Sequence, residues 1–402
     1  MRIFRFDDAK EVKRHLQEIG ADPYGIKLML PKADALLVRL SALNNIAANI
    51  IKQEMLAHGA DAAIARGSLT GAAKKTDVLL IGQQVQFKAL ISKLKAQPFG
   101  LKKIAEELET GIKNFTRQDY TLVLSRCSLK LGPRPAIMGI INLTPDSFSQ
   151  DGLYRNFSAD YPGRALAIAE RMAAQGAGII DLGGESSRPG AVSISVKEEL
   201  ARTIPIVKLL AKKIKVPLSI DTAKPKVAQA ALESGAQIIN DIGGLRDQMM
   251  IKVAARSKAA VVIMHMRGNP VNMQKKIRYR SLIEDIIVYL HNAIARANEG
   301  GIGAGRIIID PGLCFGKTVE QNLAIIKNLE AFGVLGKPVL IGASRKSFIG
   351  AVLGLPVEKR LPGTIAACLA AFGHKAHILR VHDVQEINQA LQLMQALKNA
   401  HA

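Results

Sequence analysis

From residue 136 onward the chain repeats one unit, a short aliphatic run followed by a segment of helical periodicity. The runs are AIMGIIN, GIIDLGG, PLSIDT, AQIINDI, AVVIMHM, RIIIDPG, PVLIGAS and HILRVHD. They are short and rich in Ile and Val, as expected of parallel strands covered on both faces. The segments between them, such as YPGRALAIAERMAAQGA and KPKVAQAALESGA, are amphipathic on a helical period. Parallel strands need a crossover connection, so this alternation dictates an α/β architecture. Eight near-equal units with no half-way break favour a closed TIM (β/α)8 barrel over an open doubly wound sheet, and their combined length is near the roughly 250 residues usual for that barrel.

The chain upstream has a different character. RIFRF, DAAIARG and DVLLIG read as strands, and KLMLPKADALLVRLS reads as mostly extended. DAKEVKRHLQEIG, ALNNIAANIIKQEMLAHG, QQVQFKALISKLKAQP and FGLKKIAEELETGIKNF read as helices, the last two divided at Pro98. This predicts a small α+β domain over residues 1–125 ahead of a barrel over 126–402. A polar stretch and Leu131-Gly132-Pro133-Arg134-Pro135-Ala136 mark the boundary.

Composition narrows the function classes. With 402 residues, 48% of them hydrophobic, there is ample material for a core. Cys127, Cys314 and Cys368 are too few and too scattered for a disulfide scaffold, which fits a reducing, cytoplasmic compartment. The charged N-terminal segment lacks the apolar stretch of a signal peptide, and no uncharged run is long enough to span a bilayer, so no membrane partner is expected. The net charge of +21 raises the question of nucleic acid. The basic residues are dispersed, however, and aromatics make up only 4% with no Trp, so no single-strand binding face is expected. The charge is read as a solvated surface that attracts anionic substrates.

The strand ends carry the chemistry. In such a barrel the active site lies at the C-terminal ends of the strands. Here those ends hold Asn142, then Asp181 with Glu185 and Arg188, then Asp221, Asn240 with Asp241, His265, Asp310, Ser344-Arg345-Lys346 and Arg380-Val381-His382-Asp383. One polar residue at a strand end is usually a helix cap, but eight in register predict a polar pocket on one rim. Asn142, Arg188, Arg380 and His382 are suited to a phosphate or diphosphate. Asp221, Asn240, Asp310 and Lys346 suit a flat heterocycle with an amidine-like N–H edge and a carbonyl.

Weaker motifs do not qualify. Gly316-Lys317-Thr318 looks like the tail of a phosphate loop, but Pro311 stands where the leading Gly belongs. Gly301 to Gly305 precede a strand instead of following one, so they are a turn and not a dinucleotide fingerprint. His265 lies among Met264 and Met266 and reads as a hydrogen-bonded histidine of the core or rim, and the histidines show no zinc spacing. Cys314 has no nearby His in sequence and reads as an ordinary loop cysteine.

At these residues the chain resembles the dihydropteroate synthase family. The resemblance rests on Ile140-Ile141-Asn142-Leu143-Thr144-Pro145-Asp146-Ser147-Phe148-Ser149, on Asp181-Leu182-Gly183-Gly184-Glu185-Ser186-Ser187-Arg188-Pro189-Gly190, and on Ser219-Ile220-Asp221-Thr222. It continues through Ile239-Asn240-Asp241, Met264-His265-Met266, Asp310-Pro311-Gly312, Ser344-Arg345-Lys346-Ser347 and Arg380-Val381-His382-Asp383-Val384, in the family's order. It implies condensation of 6-hydroxymethyl-7,8-dihydropterin diphosphate with 4-aminobenzoate, giving 7,8-dihydropteroate and diphosphate along an SN1-like path. It further implies that Asp221, Asn240, Asp310 and Lys346 hold the pterin. Asn142 would ligate Mg2+ on the diphosphate, and Arg188, Arg380 and His382 would bind its oxygens. Asp221, Lys346, Arg380 and His382 would carry the chemistry. Phe148, Pro189, Phe315, Lys346 and Ser347 would face the aminobenzoate, with Asp146 and Ser187 helping to close the site. A homodimer through the outer helices is implied as well.

Three positions depart from the family pattern. Ser187 stands where Thr is frequent, Gln150 is an extra residue, and Cys314 replaces a usual Gly. The N-terminal domain resembles the extension of some longer bacterial members, through Ala47-Ala48-Asn49-Ile50-Ile51-Lys52-Gln53-Glu54; no chemistry is assigned to it, and packing or oligomerisation is favoured over a regulatory or channelling role. The chief rival reading is a methyltetrahydrofolate–corrinoid methyltransferase, which would share the pterin residues but has less use for a diphosphate site. A non-enzymatic binding protein exploiting the basic charge is the other.

Overall fold

The computed structural model describes residues 9–33, 35–69, 74–144, 161–186, 193–268, 272–274 and 277–400. The chain forms two compact units, residues 1–113 and 114–402. The sequence boundary at 125/126 falls later, inside a hairpin that belongs to the second unit.

The first unit is built on an antiparallel sheet of β1 (Ala35–Asn44), β2 (Asp61–Ile64) and β3 (Lys75–Gln83), with β3 in the middle. Along β3 the side chains alternate, Val78 and Leu80 buried and Leu79 and Ile81 exposed. The buried face meets Ala47, Ile51 and Met55 of the helix Asn45–Ala57 and Phe87, Leu90 and Leu94 of the helix Gln84–Lys95. Asn44 starts the first of these helices by accepting a hydrogen bond from the Ala47 amide. The run expected to be mostly extended is different in its first half. Pro23–Met29 is a helix and Leu30–Lys32 a short 3-10 turn, before β1 begins at Ala35. Asp22 accepts from the amides of Tyr24 and Gly25, and Pro23 takes the first helical position, where its fixed φ costs nothing. RIFRF lies outside the described residues.

The second unit opens with a hairpin of β4 (Tyr120–Val123) and β5 (Ser128–Leu131), formed by the polar stretch that marks the boundary in the sequence. The eight barrel strands follow: β6 (Ala136–Asn142), β7 (Ile179–Gly183), β8 (Leu218–Asp221), β9 (Ile238–Asp241), β10 (Ala260–Met264), β11 (Ile307–Asp310), β12 (Leu340–Ile341) and β13 (Ile378–Val381). They pair in parallel in the order β11-β10-β9-β8-β7-β6-β13-β12. A parallel bridge between Ile309 and Val339 joins β11 to the start of β12 and closes the ring. The expected barrel is therefore present, each aliphatic run forming one strand.

Strand alternation gives the barrel two surfaces. Ile180, Leu182, Ile220, Ile239, Val261 and Ile263 point outward and pack with the helices. Met138, Ile179, Ile238, Val262, Ile308, Leu340 and Ile378 form an inner floor, capped from below by Tyr120, Leu122, Leu124 and Leu131 of the hairpin region. Two residues above the floor positions Ile179, Ile238, Ile308 and Ile378 stand Asp181, Asn240, Asp310 and Arg380. The period of two thus turns an apolar floor into a polar mouth within one strand length. Among the described residues no helix is long and apolar enough to cross a membrane.

Leu122 is 1% exposed at the centre of the cap. Leu122→Ala should cost about 2–4 kcal/mol of stability, as for other large-to-small core changes, read as a lowered denaturation midpoint of the full chain.

Candidate active site at the barrel mouth

Register places the polar residues side by side. Gly183 of β7 pairs with Asp221 of β8, and Asp221 with Asn240 of β9. On the next pair, Met264 of β10 faces Asp310 of β11. Arg380 reaches from β13 across the mouth. Its Nε donates to Asp181 Oδ2 at 2.6 Å and its Nη2 to Asp221 Oδ2 at 2.8 Å. The same Asp181 oxygen accepts from Asn240 Nδ2 at 3.0 Å. Asp181 is fully buried, and its second oxygen has no hydrogen-bond partner. The sequence reading placed Asp181 at a strand end but gave it no role. The structure puts it at the junction of the two walls.

Charge is unevenly balanced here. Burial lifts the Asp221 carboxyl to about 7 against the pull of Arg380, and Asp181, Glu199 and Asp241 add repulsion. Burial also raises Asp310, opposed by Lys346 and by a hydrogen bond from the Gly312 amide. Burial lowers the Lys346 ammonium, which donates to the Leu313 carbonyl at 2.6 Å and lies 4.9 Å from the centre of the Phe315 ring. Ser347 follows Lys346 at the start of a short helix, its Oγ 3.5 Å from Cys314 Sγ.

The opposite wall is a chain of polar contacts. Asn142 Nδ2 lies 3.3 Å from His382 Nε2, and His382 Nδ1 lies 3.0 Å from Ser344 Oγ. A polar cavity of about 300 Å³ opens beside Asn142 and His382, also lined by Arg171, Gln175 and Arg345. Not every polar strand end faces ligand space. Arg345 makes a two-pronged contact with Asp383, and its amide is held by Thr364. Asp241 accepts from the amides of Gly243 and Leu245 and shapes its own turn. Glu185 accepts from Ser193 Oγ, the Ile194 amide and Lys224, spanning the two ends of the loop after β7. Burial works against ionisation of Glu185, but these partners hold its carboxyl below the usual range.

The structure thus brings together Asn142, Asp221, Asn240, Asp310, Phe315, Lys346, Ser347, Arg380 and His382. Asp146, Phe148, Gln150, Ser187, Arg188 and Pro189 lie outside the described residues. His265 is buried and hydrogen-bonded, as expected of a core or rim histidine. Among the described residues no group of three or more His, Cys, Asp or Glu side chains could hold a metal ion.

A family model described as pterin binding enzyme matches residues 138–382. Dihydropteroate synthase of Synechocystis sp. is 43% identical over 268 residues, covering 66% of this chain and 91% of that protein. The chain belongs to the dihydropteroate synthase family. A structure of dihydropteroate synthase from Xanthomonas albilineans with 4-aminobenzoic acid is 38% identical, covers 70% of this chain and all of that one, and superposes with a TM-score of 0.65. A probable bifunctional folylpolyglutamate synthase/dihydropteroate synthase of Halobacterium salinarum is 35% identical over 395 residues. That match takes in 98% of this chain, the N-terminal unit included, and 46% of the relative. These matches favour the synthase over the corrinoid methyltransferase reading.

Two predictions follow from the mouth. Folded Asp221 holds its proton more tightly than an ordinary carboxyl, so its ionisation disfavours the folded state increasingly from the usual carboxylate range up to about 7. Asp221→Asn should therefore melt a few degrees above the parent at pH 8, with the gain vanishing near pH 4, in paired thermal melts. Cys314 sits at φ 69, in the left-handed region that explains why Gly is usual there. Cys314→Gly should stabilise the chain by up to about 1 kcal/mol, seen as a higher denaturant midpoint with an unchanged slope.

Proposed function

We propose that this chain condenses 6-hydroxymethyl-7,8-dihydropterin diphosphate with 4-aminobenzoate, releasing 7,8-dihydropteroate and diphosphate. The observation that carries the proposal is the convergence of two chemically different walls in one barrel mouth. Asp221, Asn240, Asp310 and Lys346 offer acceptors and donors matched to the N–H edge and carbonyl of a pterin. Asn142, Ser344, His382 and Arg380 offer an anion-facing wall. The carboxyls of Asp221 and Asp310, both lifted by burial, gain the donors they lack when the pterin N–H groups arrive.

The difficult event is departure of diphosphate, because a neutral arylamine is a modest nucleophile. The carbon–oxygen bond to diphosphate breaks, the positive charge left on the methylene spreads into the dihydropterin, and the arylamine nitrogen then bonds to that carbon and loses a proton. Arg380, His382 and Arg188 offset the negative charge on the leaving group. Asp221 faces the positive charge that develops on the pterin. Phe315 provides apolar surface for the arene, and Lys346 and Ser347 flank it; the family resemblance assigns Phe148 and Pro189 to the same surface and Asp146 and Ser187 to closing the site, which would keep water from the cation.

Asn142 fits a role beside Mg2+. Its amide nitrogen is turned to His382, and its carbonyl oxygen remains as a ligand. One protein oxygen suits an ion that takes its other ligands from phosphate and water. When bound, the ion would offset charge on the departing diphosphate.

The reading includes a cytoplasmic location, in keeping with three free thiols. It includes a homodimer through the outer helices, where Leu323, Val352 and Leu353 are exposed around an apolar groove. It also divides the chain into a catalytic barrel and an N-terminal domain to which no chemistry is assigned.

The test is release of diphosphate that depends on 4-aminobenzoate. The parent chain should show it. Lys346→Ala and Asp221→Asn should lose at least about 100-fold in kcat/KM, the scale of losing a preorganised charged group. Release without 4-aminobenzoate, or methyl transfer from methyltetrahydrofolate instead, would refute the proposal.

A further inference from the structure

The failed phosphate-loop motif contains a buried lysine that the reaction as described does not use. Lys317 is 4% exposed, and its ammonium has three acceptors: the Gly312 carbonyl at 2.8 Å, the Phe315 carbonyl at 3.1 Å and His265 Nδ1 at 2.9 Å. Burial lowers Lys317 to about 7, a measure of what it costs to keep the charge there. Burial also depresses His265 to about 2, so its ring is neutral and Nδ1 accepts.

The loop around this ammonium has an unusual backbone. Gly312, Cys314 and Gly316 all have positive φ, at 72, 69 and 67°. The alternation of hand curls the chain so that the carbonyls of residues 312 and 315 meet at Lys317. The other three carbonyls are also taken by side chains: Leu313 by Lys346, Cys314 by Gln274 and Gly316 by Tyr279. No strand or helix holds residues 312–316: one turn bond runs from the Phe315 amide to the Gly312 carbonyl at 3.2 Å, side-chain donors take up each carbonyl, and Lys317 is the side chain that joins two of them. Gly312 in turn donates to Asp310 Oδ1 at 2.7 Å, and Leu313 anchors Lys346.

We propose that Lys317 is a positioning residue of the condensation site, clamping the loop after β11 so that Asp310 and Lys346 face the pterin and Phe315 faces the arylamine. The inference rests on the proposed condensation for its kinetic consequence, but the clamp itself is testable without it. Lys317→Met in the full chain removes all three donors and keeps the volume. KM for both substrates should rise about tenfold or more, with kcat/KM down by about 10–100-fold, the scale of a small misplacement of binding groups. The melting temperature should stay within a few degrees of the parent, because an apolar side chain replaces a costly buried charge. Hydrogen exchange at the amides of residues 312–315 should quicken about tenfold. An unchanged KM for either substrate would show that Lys317 is structural only. Unchanged exchange in this loop would remove the clamp. A parent chain without aminobenzoate-dependent diphosphate release refutes the condensation, and the exchange measurement then decides the clamp alone. Should Lys317→Met not fold, Lys317→Leu, which likewise removes every donor, is held to the same criteria.

Discussion

The contact on which the site depends is the guanidinium of Arg380 held between Asp181 and Asp221 inside the barrel. A cation at this depth needs compensation, and a carboxylate as enclosed as Asp181 needs it equally. Burial, with a smaller contribution from the neighbouring carboxylates, outweighs the pull of the guanidinium, and Asp221 keeps its proton up to about 7. The same contact ties β13 to β7 and β8, so the wall assigned to the anion and the wall assigned to the heterocycle share one hydrogen-bonded centre. Removing the guanidinium leaves two buried carboxyls without their cation, not merely a lost contact.

Around that centre the supporting side chains have little freedom. Lys224 connects Glu185 to the fully buried Glu199 at 2.9 and 2.7 Å. Arg345 is fixed to Asp383 on the neighbouring strand end. These pairs stand outside the mouth and act on the loops that enter it. The outer ring is therefore charge-paired, although one oxygen of Glu199 lacks a hydrogen-bond partner, while the inner one carries displaced protonation states and an unpartnered carboxylate oxygen on Asp181. That distribution is expected of a site held ready for a charged ligand instead of optimised for its own stability.

The barrel was legible because parallel strands buried on both faces must be aliphatic throughout, and the polar residue that ends each run is then conspicuous. Asn142, Asp221, Asn240, Asp310, Arg380 and His382 all stood out in this way. The hairpin did not. Its strands are four residues long, and Tyr120, Leu122 and Leu131 alternate with polar neighbours too briefly to separate from a linker. The helix at Pro23–Met29 was hidden because Ile26, Leu28 and Met29 fit a strand as well as a helix, and the deciding signal was the Asp22-Pro23 cap. Lys317 stands in a broken phosphate-loop motif, and its ammonium is taken by three acceptors of the protein itself, but no spacing rule reveals a lysine that serves its own loop. Asp181 was visible as a residue and not as a hub, because its partners Asn240 and Arg380 are distant in sequence.

The hairpin beneath the barrel floor has a consequence for where the catalytic unit begins. Its Tyr120, Leu122 and Leu131 cover the lower openings of the strands, so the cylinder is a cup with a sealed base. Among the described residues the cap covers the end of the barrel opposite the polar mouth. The segment that covers the base precedes the first barrel strand, so a gene fragment starting at that strand would encode a vessel whose apolar floor is laid open to water.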